Sequence, residues 1–509
     1  MQEIEEIIQE DHSWPVLPKR PLLFVMILST LVGFAFQGSR GLYESTEGRY
    51  AECARQSMEQ GTLDEPVLNG ENHWTKPPLT YYVIAAGMKV FGENAWGARI
   101  GQSFAFVFTV LAVYYLGALL WGSRAAFFCG VAYGLCPFTV GSANALSTDT
   151  LLTMWETLTL LCFWLAVRRG GWYYIVLTWA AFGFAFLTKG FPALLCMIAP
   201  TISFFYFRRR GEKVPQFFNP LGIAVFLLIG FSWYAVKGWT HPGLMHNWIF
   251  KEGIARNVAG QYNRNSQWFK PFTMYFPSLL FGMLPWVFII AFRWKRIPWP
   301  TDMWKRISSW PHSAEWLFVI TAFFIPLAVF CLSTSRLPLY VLPLFAPMAL
   351  TVGKGLEWLV SERHISLKLI KWTSITCMLV MVIAKGAIPY RSDPKDMLVL
   401  AQDLKPALEK YSSYDLHILN RDCPYGLQFY LKKSPIDTIE FKDPTDAQGK
   451  IRDVVKKAKA GTPQLTIIRT KMLKKLEQLI DGRIYQVIPV NNDWALIVIT
   501  PPDSSNPTS

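Results

Sequence analysis

About eleven apolar runs, each long enough to cross roughly 30 Å of hydrocarbon, begin near Pro21, Ala95, Ala125, Leu151, Trp172, Phe191, Leu221, Met274, Trp316, Pro338 and Lys371. In hydrocarbon every backbone N–H and C=O must find its partner inside the segment, so runs of this length fold as α-helices. The expected fold is mainly α, a polytopic transmembrane helical bundle of about 11 to 13 spans. Composition agrees, because a chain that is 52% hydrophobic and only 17% charged, with 36 Phe and 21 Trp, would not stay in solution as a set of soluble domains.

The formal net charge of +14 raises the question of nucleic acid. The basic residues fall in short clusters between apolar runs, where the excess of Lys and Arg in cytoplasmic loops accounts for them, and no nucleic-acid partner is expected. Lys19-Arg20, Arg124, Arg168-Arg169, Arg208-Arg209-Arg210, Arg293 with Lys295-Arg296, and Lys354 to Lys371 occupy alternate loops. Those loops are assigned to the cytoplasm. The long loop 40–94, the turns at 143–150, 188–190 and 333–337, and the loop 239–272 then open on the opposite side, as does everything after Pro389.

Four regions follow. Residues 1–20 form a cytoplasmic N-terminal segment, and 21–388 form the transmembrane domain. Residues 389–500 read as a soluble extracytoplasmic α/β domain, and 501–509 as a disordered Pro/Ser/Asn tail. In the α/β domain, polar helical stretches at 394–411, 445–459 and 471–481 alternate with runs rich in Ile, Val and Thr at 416–419, 436–441, 465–468, 485–490 and 494–500. No cleavable signal peptide is expected, since the acidic segment Met1 to Asp11 precedes the first span and no small-residue cleavage site follows it.

Six of the eight cysteines lie inside apolar spans, where a thiol is a small hydrophobe, while Cys53 and Cys423 sit in polar regions and read as free thiols or as a pair. There is no CxxC, HxH or HxxxH, so no metal site is expected from ligand spacing. No cofactor is implied with certainty.

The loop 40–94 concentrates charge between two spans. Ser45 or Thr46 can N-cap a helix running to about Gln60, with Glu47 in the first turn and Gly61 as its stop. Tyr50, Ala51, Ala54 and Met58 would give that helix an apolar side, and Arg49, Glu52, Gln56 and Glu59 a polar one, which reads as an amphipathic helix lying along the membrane interface. A second amphipathic segment, 79–91, follows the Lys76-Pro77-Pro78 elbow, whose prolines fix φ and keep Lys76 out of helical geometry. Asp149, Lys189 and Arg336 lie at span ends on the same assigned face. Long basic side chains can snorkel there. Asp149 is short, has no adjacent basic partner and is followed by an apolar run, so it either faces a polar cavity or N-caps the next helix.

Taken together these segments resemble the lipid-linked sugar transferases of the GT-C class, in the branch that contains the aminoarabinose transferase of lipid A and the protein O-mannosyltransferases. The resemblance covers about residues 20 to 350. It rests on Arg49-Tyr50-Ala51-Glu52, Asn69-Gly70, Lys76-Pro77-Pro78-Leu79, Phe91-Gly92 with Ala98-Arg99, Leu187-Thr188-Lys189-Gly190 and Ser335-Arg336-Leu337-Pro338-Leu339-Tyr340-Val341-Leu342-Pro343, in the family's order. It implies transfer of a sugar from a polyprenyl phosphate to an extracytoplasmic acceptor with inversion. The partners would be the lipid-linked donor, membrane lipids, and a lipid A-like lipid, a protein hydroxyl or a glycan as acceptor. A phosphate leaving group needs electrostatic stabilisation, and an acceptor hydroxyl benefits from a carboxylate base. By resemblance Arg49, Lys76, Lys189, Arg336 and Tyr340 bind the donor phosphate, and Asp149 lies in the catalytic cavity.

The chain departs from the family pattern in three places. Thr46-Glu47 stands where an Asp-Glu pair is usual, and Thr75 where Glu often precedes the KPPL element. Two residues apart on a helix, Glu47 and Arg49 point to nearly opposite sides. The base is therefore sought among Glu44, Glu47 and Asp149, with Glu44 or Asp149 preferred. A family histidine expected shortly before Pro271 is replaced by the run Asn265 to Lys270, which removes support for a divalent metal there. Glu252, Arg256, Tyr262 and Arg264 are expected as acceptor or headgroup contacts. The competing readings are a lipid or solute transporter or flippase, which would show internal repeats and midplane charges, and a catalytically degenerate binder of lipid-linked sugar. The expected location is a bacterial plasma membrane, since no N-x-S/T site occurs in the outward loops.

Overall fold

The computed structural model describes residues 17, 20–250, 265–293, 313–391, 393–411, 413–419, 423–433, 436–439, 444–459, 463–473 and 485–499. The described chain divides into two compact units. One comprises Met1–Gln37, Trp74–Gly87 and Arg99–Ala387, and the other Gly38–His73, Met88–Ala98 and Ile388–Ser509. The loop 40–94, expected to belong with the spans throughout, is thus divided between the two.

The first unit is a helical bundle. Seven of its helices are long and apolar enough to cross a membrane: Ala95–Trp121, Thr148–Arg169, Phe191–Arg209, Pro220–Thr240, Ala314–Leu332, Pro338–Ser361 and Leu367–Tyr390. Two bent pairs raise the number to nine. Ser123–Gly134 meets Pro137–Ala143 at 59°, and Pro271–Gly282 meets Trp286–Phe292 at 86°. Pro137 lacks the N–H that would continue the preceding helix and opens a new one at its first position. Pro21–Phe34 is shorter, and Trp172–Lys189 ends on its own lysine. Every expected run therefore begins at or within four residues of a described helix.

Large apolar side chains on the bundle exterior, among them Phe292 (83% exposed) and Leu332 (81%), would be intolerable in water and match a hydrocarbon-facing surface. Inside, Trp164 and Phe318 meet edge to face at 5.4 Å and Phe163 stacks on Phe318 at 5.9 Å. At Gly353 the Pro338–Ser361 helix runs so close to Ser123–Gly134 that a Cβ would lie 2.6 Å from Cys129 Cα, the kind of contact that small residues permit between membrane helices.

The second unit contains a five-stranded mixed sheet built from β3 (Asp415–Leu419), β4 (Asp437–Ile439), β5 (Gln464–Arg469), β6 (Gln486–Pro489) and β7 (Trp494–Ile499), in the order β4-β3-β5-β7-β6. The first three strands are parallel and β6 and β7 antiparallel. Alternation along the strands sends Ile418, Ile467 and Leu496 into one core with Leu400 and Leu427, and Leu419, Ile468 and Ile497 into another with Val454 and Ala458. Both faces are therefore covered by helices. The expected strands are all present, Met397–Leu408 and Pro444–Lys459 occupy the first two helical stretches, and a short helix at Tyr425–Leu431 is additional. The third stretch, 471–481, lies mostly outside the described residues.

The Thr46–Gln60 helix also belongs to this unit, and it ends as expected at Gly61, whose φ of 70° closes the last turn. It is not a solvated interfacial helix. Glu52, Arg55 and Gln56 on its polar side are almost fully buried. Arg55 donates to both oxygens of Glu52 at 2.7 and 2.8 Å and to Glu59 at 2.6 Å, and Gln56 adds a bond to Glu52 at 2.7 Å. The polar stripe packs inward because its charges satisfy one another. The helix packs on Tyr425–Leu431 and on a hairpin, β1 (Val67–Leu68) and β2 (Glu71–Asn72). Asn69 and Gly70, at φ 57° and 78°, form the hairpin's two-residue turn.

Candidate active site

A cavity of about 380 Å³ opens in the first unit, and three of the expected phosphate-binding residues, Lys76, Lys189 and Tyr340, line it. Each is placed by a different local device. Lys76 precedes Pro77 and Pro78, both buried, and the Leu79–Phe91 helix starts directly after this elbow with Tyr82 donating to the Pro78 carbonyl. On its other side Trp74 is anchored. Its carbonyl accepts from Trp248 Nε1 at 2.8 Å, and its ring lies 4.8 Å from His241.

Lys189 is the last residue of Trp172–Lys189, where a cation is favoured by the unsatisfied carbonyls of the helix C-terminus. Gly190, at φ 75°, turns the chain into the Phe191–Met197 segment, and a Cβ there would meet Tyr234 Oη at 2.8 Å. The Lys189 ammonium lies 4.5 Å from the centre of the Tyr340 ring and donates to Asp149 Oδ1 at 2.5 Å. Both members of that pair are more than nine-tenths buried. Asp149 is held in the first turn of Thr148–Arg169, whose N-cap is Ser147: the Ser147 hydroxyl accepts from the Asp149 N–H at 3.2 Å. Of the two readings of Asp149, the N-cap is excluded, because Ser147 holds that position. Its carboxylate is spent on Lys189, at the edge of the cavity rather than in its lining.

Arg336 is buried in the same unit, but its guanidinium does not line the cavity. It donates to the carbonyls of Asn265 and Gln267 at 2.8 Å each and to that of Cys331 at 2.9 Å. Three carbonyls from two backbone segments are stapled by one planar fork, which a lysine could not do.

The remaining expected residues lie in the second unit. Glu47 accepts from Arg40 through both oxygens, at 2.6 and 3.0 Å, and from the Tyr43 N–H at 2.9 Å. Burial works against the Arg40 charge, yet the Glu47 carboxylate more than offsets it and raises the guanidinium above its ordinary pKa. Glu44 Oε1 accepts from the Gly426 N–H at 2.6 Å. Arg49 is half-buried beside the Tyr50 ring. Glu252, Arg256, Tyr262 and Arg264 lie outside the described residues. Among the described residues no group of three or more His, Cys, Asp or Glu is arranged to hold a metal ion.

The cavity also contains residues that the sequence reading passed over. Trp74, Tyr234 and Trp248 form an aromatic wall, and Glu156 contributes a carboxylate from within the Thr148–Arg169 helix. An ionisable residue inside an apolar run was the available signal for Glu156.

Comparison with known proteins sets this geometry in context. Residues 75–235 match the family model described as dolichyl-phosphate-mannose-protein mannosyltransferase. The chain is 30% identical over 342 residues to an undecaprenyl phosphate-alpha-4-amino-4-deoxy-L-arabinose arabinosyl transferase of Pseudomonas savastanoi pv. phaseolicola, covering 66% of this chain and 60% of the relative. It is 28% identical over 343 residues to the corresponding transferase 2 of Pseudomonas fluorescens, covering 66% and 59%. The chain spans about three-fifths of the length of these curated relatives. The crystal structure of ArnT from Cupriavidus metallidurans bound to undecaprenyl phosphate superposes with a TM-score of 0.75 at 18% identity, covering 96% of this chain and all of that one. The chain has the ArnT fold. It resembles the aminoarabinose transferases and protein mannosyltransferases, as its motifs implied, and like them it is a multi-span membrane protein. Lys76, Pro77, Glu156, Lys189 and Tyr234 of the cavity fall inside the segment matched by the family model, whereas Trp74, Trp248 and Tyr340 lie outside it.

Proposed function

We propose that this protein is an integral membrane glycosyltransferase that takes a sugar from a polyprenyl phosphate and passes it, with inversion, to an acceptor outside the cytoplasm. The observation that carries the reading is the convergence of Lys76, Lys189 and Tyr340 on one cavity whose other walls are mostly apolar and aromatic. A dry, low-dielectric wall strengthens the hold of such cations on a phosphate.

In the proposed reaction the bond between the anomeric carbon and the phosphate oxygen breaks as the acceptor oxygen attacks from the opposite face. Lys76 and Lys189 stabilise the charge that builds on the departing polyprenyl phosphate, and Tyr340 fixes Lys189 by its ring. The acceptor proton passes to a carboxylate. Asp149 is the preferred candidate, because its partner Lys189 lines the cavity and an arriving phosphate would draw that cation away and release the carboxylate, whereas the partners of Glu47 and Glu44, Arg40 and the Gly426 N–H, do not line the cavity. Arg336 acts by holding the segments around Asn265 and Cys331 in place. The polyprenyl tail would leave toward the bilayer past Val329 and Leu332, which line the cavity and are exposed on the bundle exterior.

By likeness to the relatives, undecaprenyl phosphate carrying 4-amino-4-deoxy-L-arabinose is the first donor to try; the motif resemblance makes a lipid A-like lipid the first acceptor, in a bacterial inner membrane with the N-terminus cytoplasmic and the α/β domain outside. The test is transfer by the purified protein in lipid nanodiscs, followed by mass spectrometry of the acceptor. Wild type should form a new glycosidic bond, and Lys76→Ala and Lys189→Ala should not. Substrate movement across sealed vesicles without a new bond would point instead to transport.

A further inference from the structure

Glu156 has no part in the account so far. It lies seven residues after Asp149, hence about 10 Å further along the helix and on nearly the same face. Its side chain is 6% exposed and lines the cavity that holds Lys76 and Lys189. It also borders a second, small cavity of about 30 Å³ beside Cys196 and Pro343. Among the described residues no hydrogen bond or ion pair reaches its carboxylate. Lys189 and Asp149 are the charged groups whose fields act on it. A carboxyl group left this way in a membrane interior costs several kcal/mol, and such groups persist where they serve a ligand.

We propose that Glu156 reads the sugar of the donor by pairing with a cationic amino substituent. This rests on the cavity being the donor site. Lys76 and Lys189 then hold the phosphate, Glu156 holds the ammonium, and the aromatic wall of Trp74, Tyr234 and Trp248 covers the ring between them. A headgroup that is anionic at one end and cationic at the other matches a cavity lined by both ammonium groups and a carboxylate. Without an ammonium beside it the buried group has no ligand counter-charge to keep it ionised, so a neutral sugar forgoes the ion pair and binds less tightly.

The experiment compares three ligands in nanodiscs: undecaprenyl phosphate bearing 4-amino-4-deoxy-L-arabinose, the same lipid bearing L-arabinose, and bare undecaprenyl phosphate. The two sugars differ only by an ammonium against a hydroxyl. Wild type should bind the amino sugar about tenfold or more tighter than the hydroxyl sugar. Glu156→Gln should bring that ratio close to one while leaving bare undecaprenyl phosphate binding unchanged. Glu156→Asp, shorter but still anionic, should keep part of the preference. Equal binding of the two sugars by wild type, or a preference that survives Glu156→Gln, overturns the proposal. The wild-type comparison does so without any variant having to fold. Failure of wild type to bind bare undecaprenyl phosphate would overturn the donor-site reading itself, and with it this one.

Discussion

Lys189 donates to Asp149 across two helices, from the last residue of Trp172–Lys189 to the first turn of Thr148–Arg169, with both side chains buried. The pair keeps a cation in a low-dielectric wall while the cavity is empty, and it presents any arriving phosphate with a competitor already in place. Replacing Asp149 by Asn removes that competitor. Undecaprenyl phosphate should then bind as tightly as in wild type or more tightly, whereas transfer should fall by about 10²- to 10⁴-fold. Binding and turnover measured on the same preparation separate the two effects. Weaker binding would show that Asp149 only supports the site's structure.

The Arg40–Glu47 pair is a structural element of the second unit. Glu47→Gln leaves a buried guanidinium without its counter-charge and should cost about 3 to 5 kcal/mol. Unfolding followed by protease susceptibility of the α/β domain would register it. An apolar double replacement, Arg40→Met with Glu47→Leu, should recover most of the loss, because no buried charge is then unpaired. Should Glu47→Gln instead abolish transfer with the domain's stability intact, Glu47 belongs to the chemistry.

Gly48 faces the backbone of Gly426, and a Cβ added there would sit 2.6 Å from the Gly426 Cα. Backbone cannot step aside as a flexible side chain can. Gly48→Ala should therefore separate the Thr46–Gln60 helix from Tyr425–Leu431 and destabilise the second unit by about 1 to 3 kcal/mol. Hydrogen exchange across residues 46–60 is the readout, with faster exchange expected, and unchanged protection would contradict the contact.

Much of this architecture was legible in the chain itself. Span starts, the Leu79–Phe91 helix and all five strands of the sheet follow from hydrophobic period and turn residues, which act locally. What was hidden depends on distant partners. Glu52, Arg55 and Gln56 look like a solvated face until one sees that they bond to each other and pack inward. Glu44 and Gly48 find their partner in Gly426, far along the sequence. Glu156 was lost inside an apolar run because a single carboxylate barely alters hydropathy. The Asn69-Gly70 pair carries a local hairpin signal, since both residues readily take the positive φ of a two-residue turn.

Arg336→Lys keeps the charge and loses the fork that bonds the Asn265, Gln267 and Cys331 carbonyls. Thermal stability should drop by about 1.5 to 3 kcal/mol, with undecaprenyl phosphate binding little affected in the molecules that remain folded. A large loss of lipid binding at unchanged stability would return Arg336 to the phosphate site.

The central claim is that one cationic cavity grips the phosphate of a lipid-linked donor. It is tested most directly by the dissociation constant of undecaprenyl phosphate for wild type, Lys76→Ala and Lys189→Ala in nanodiscs. Each alanine should weaken binding about ten- to a hundredfold, the worth of one charge-assisted hydrogen bond. Wild-type affinity in both variants would contradict the account.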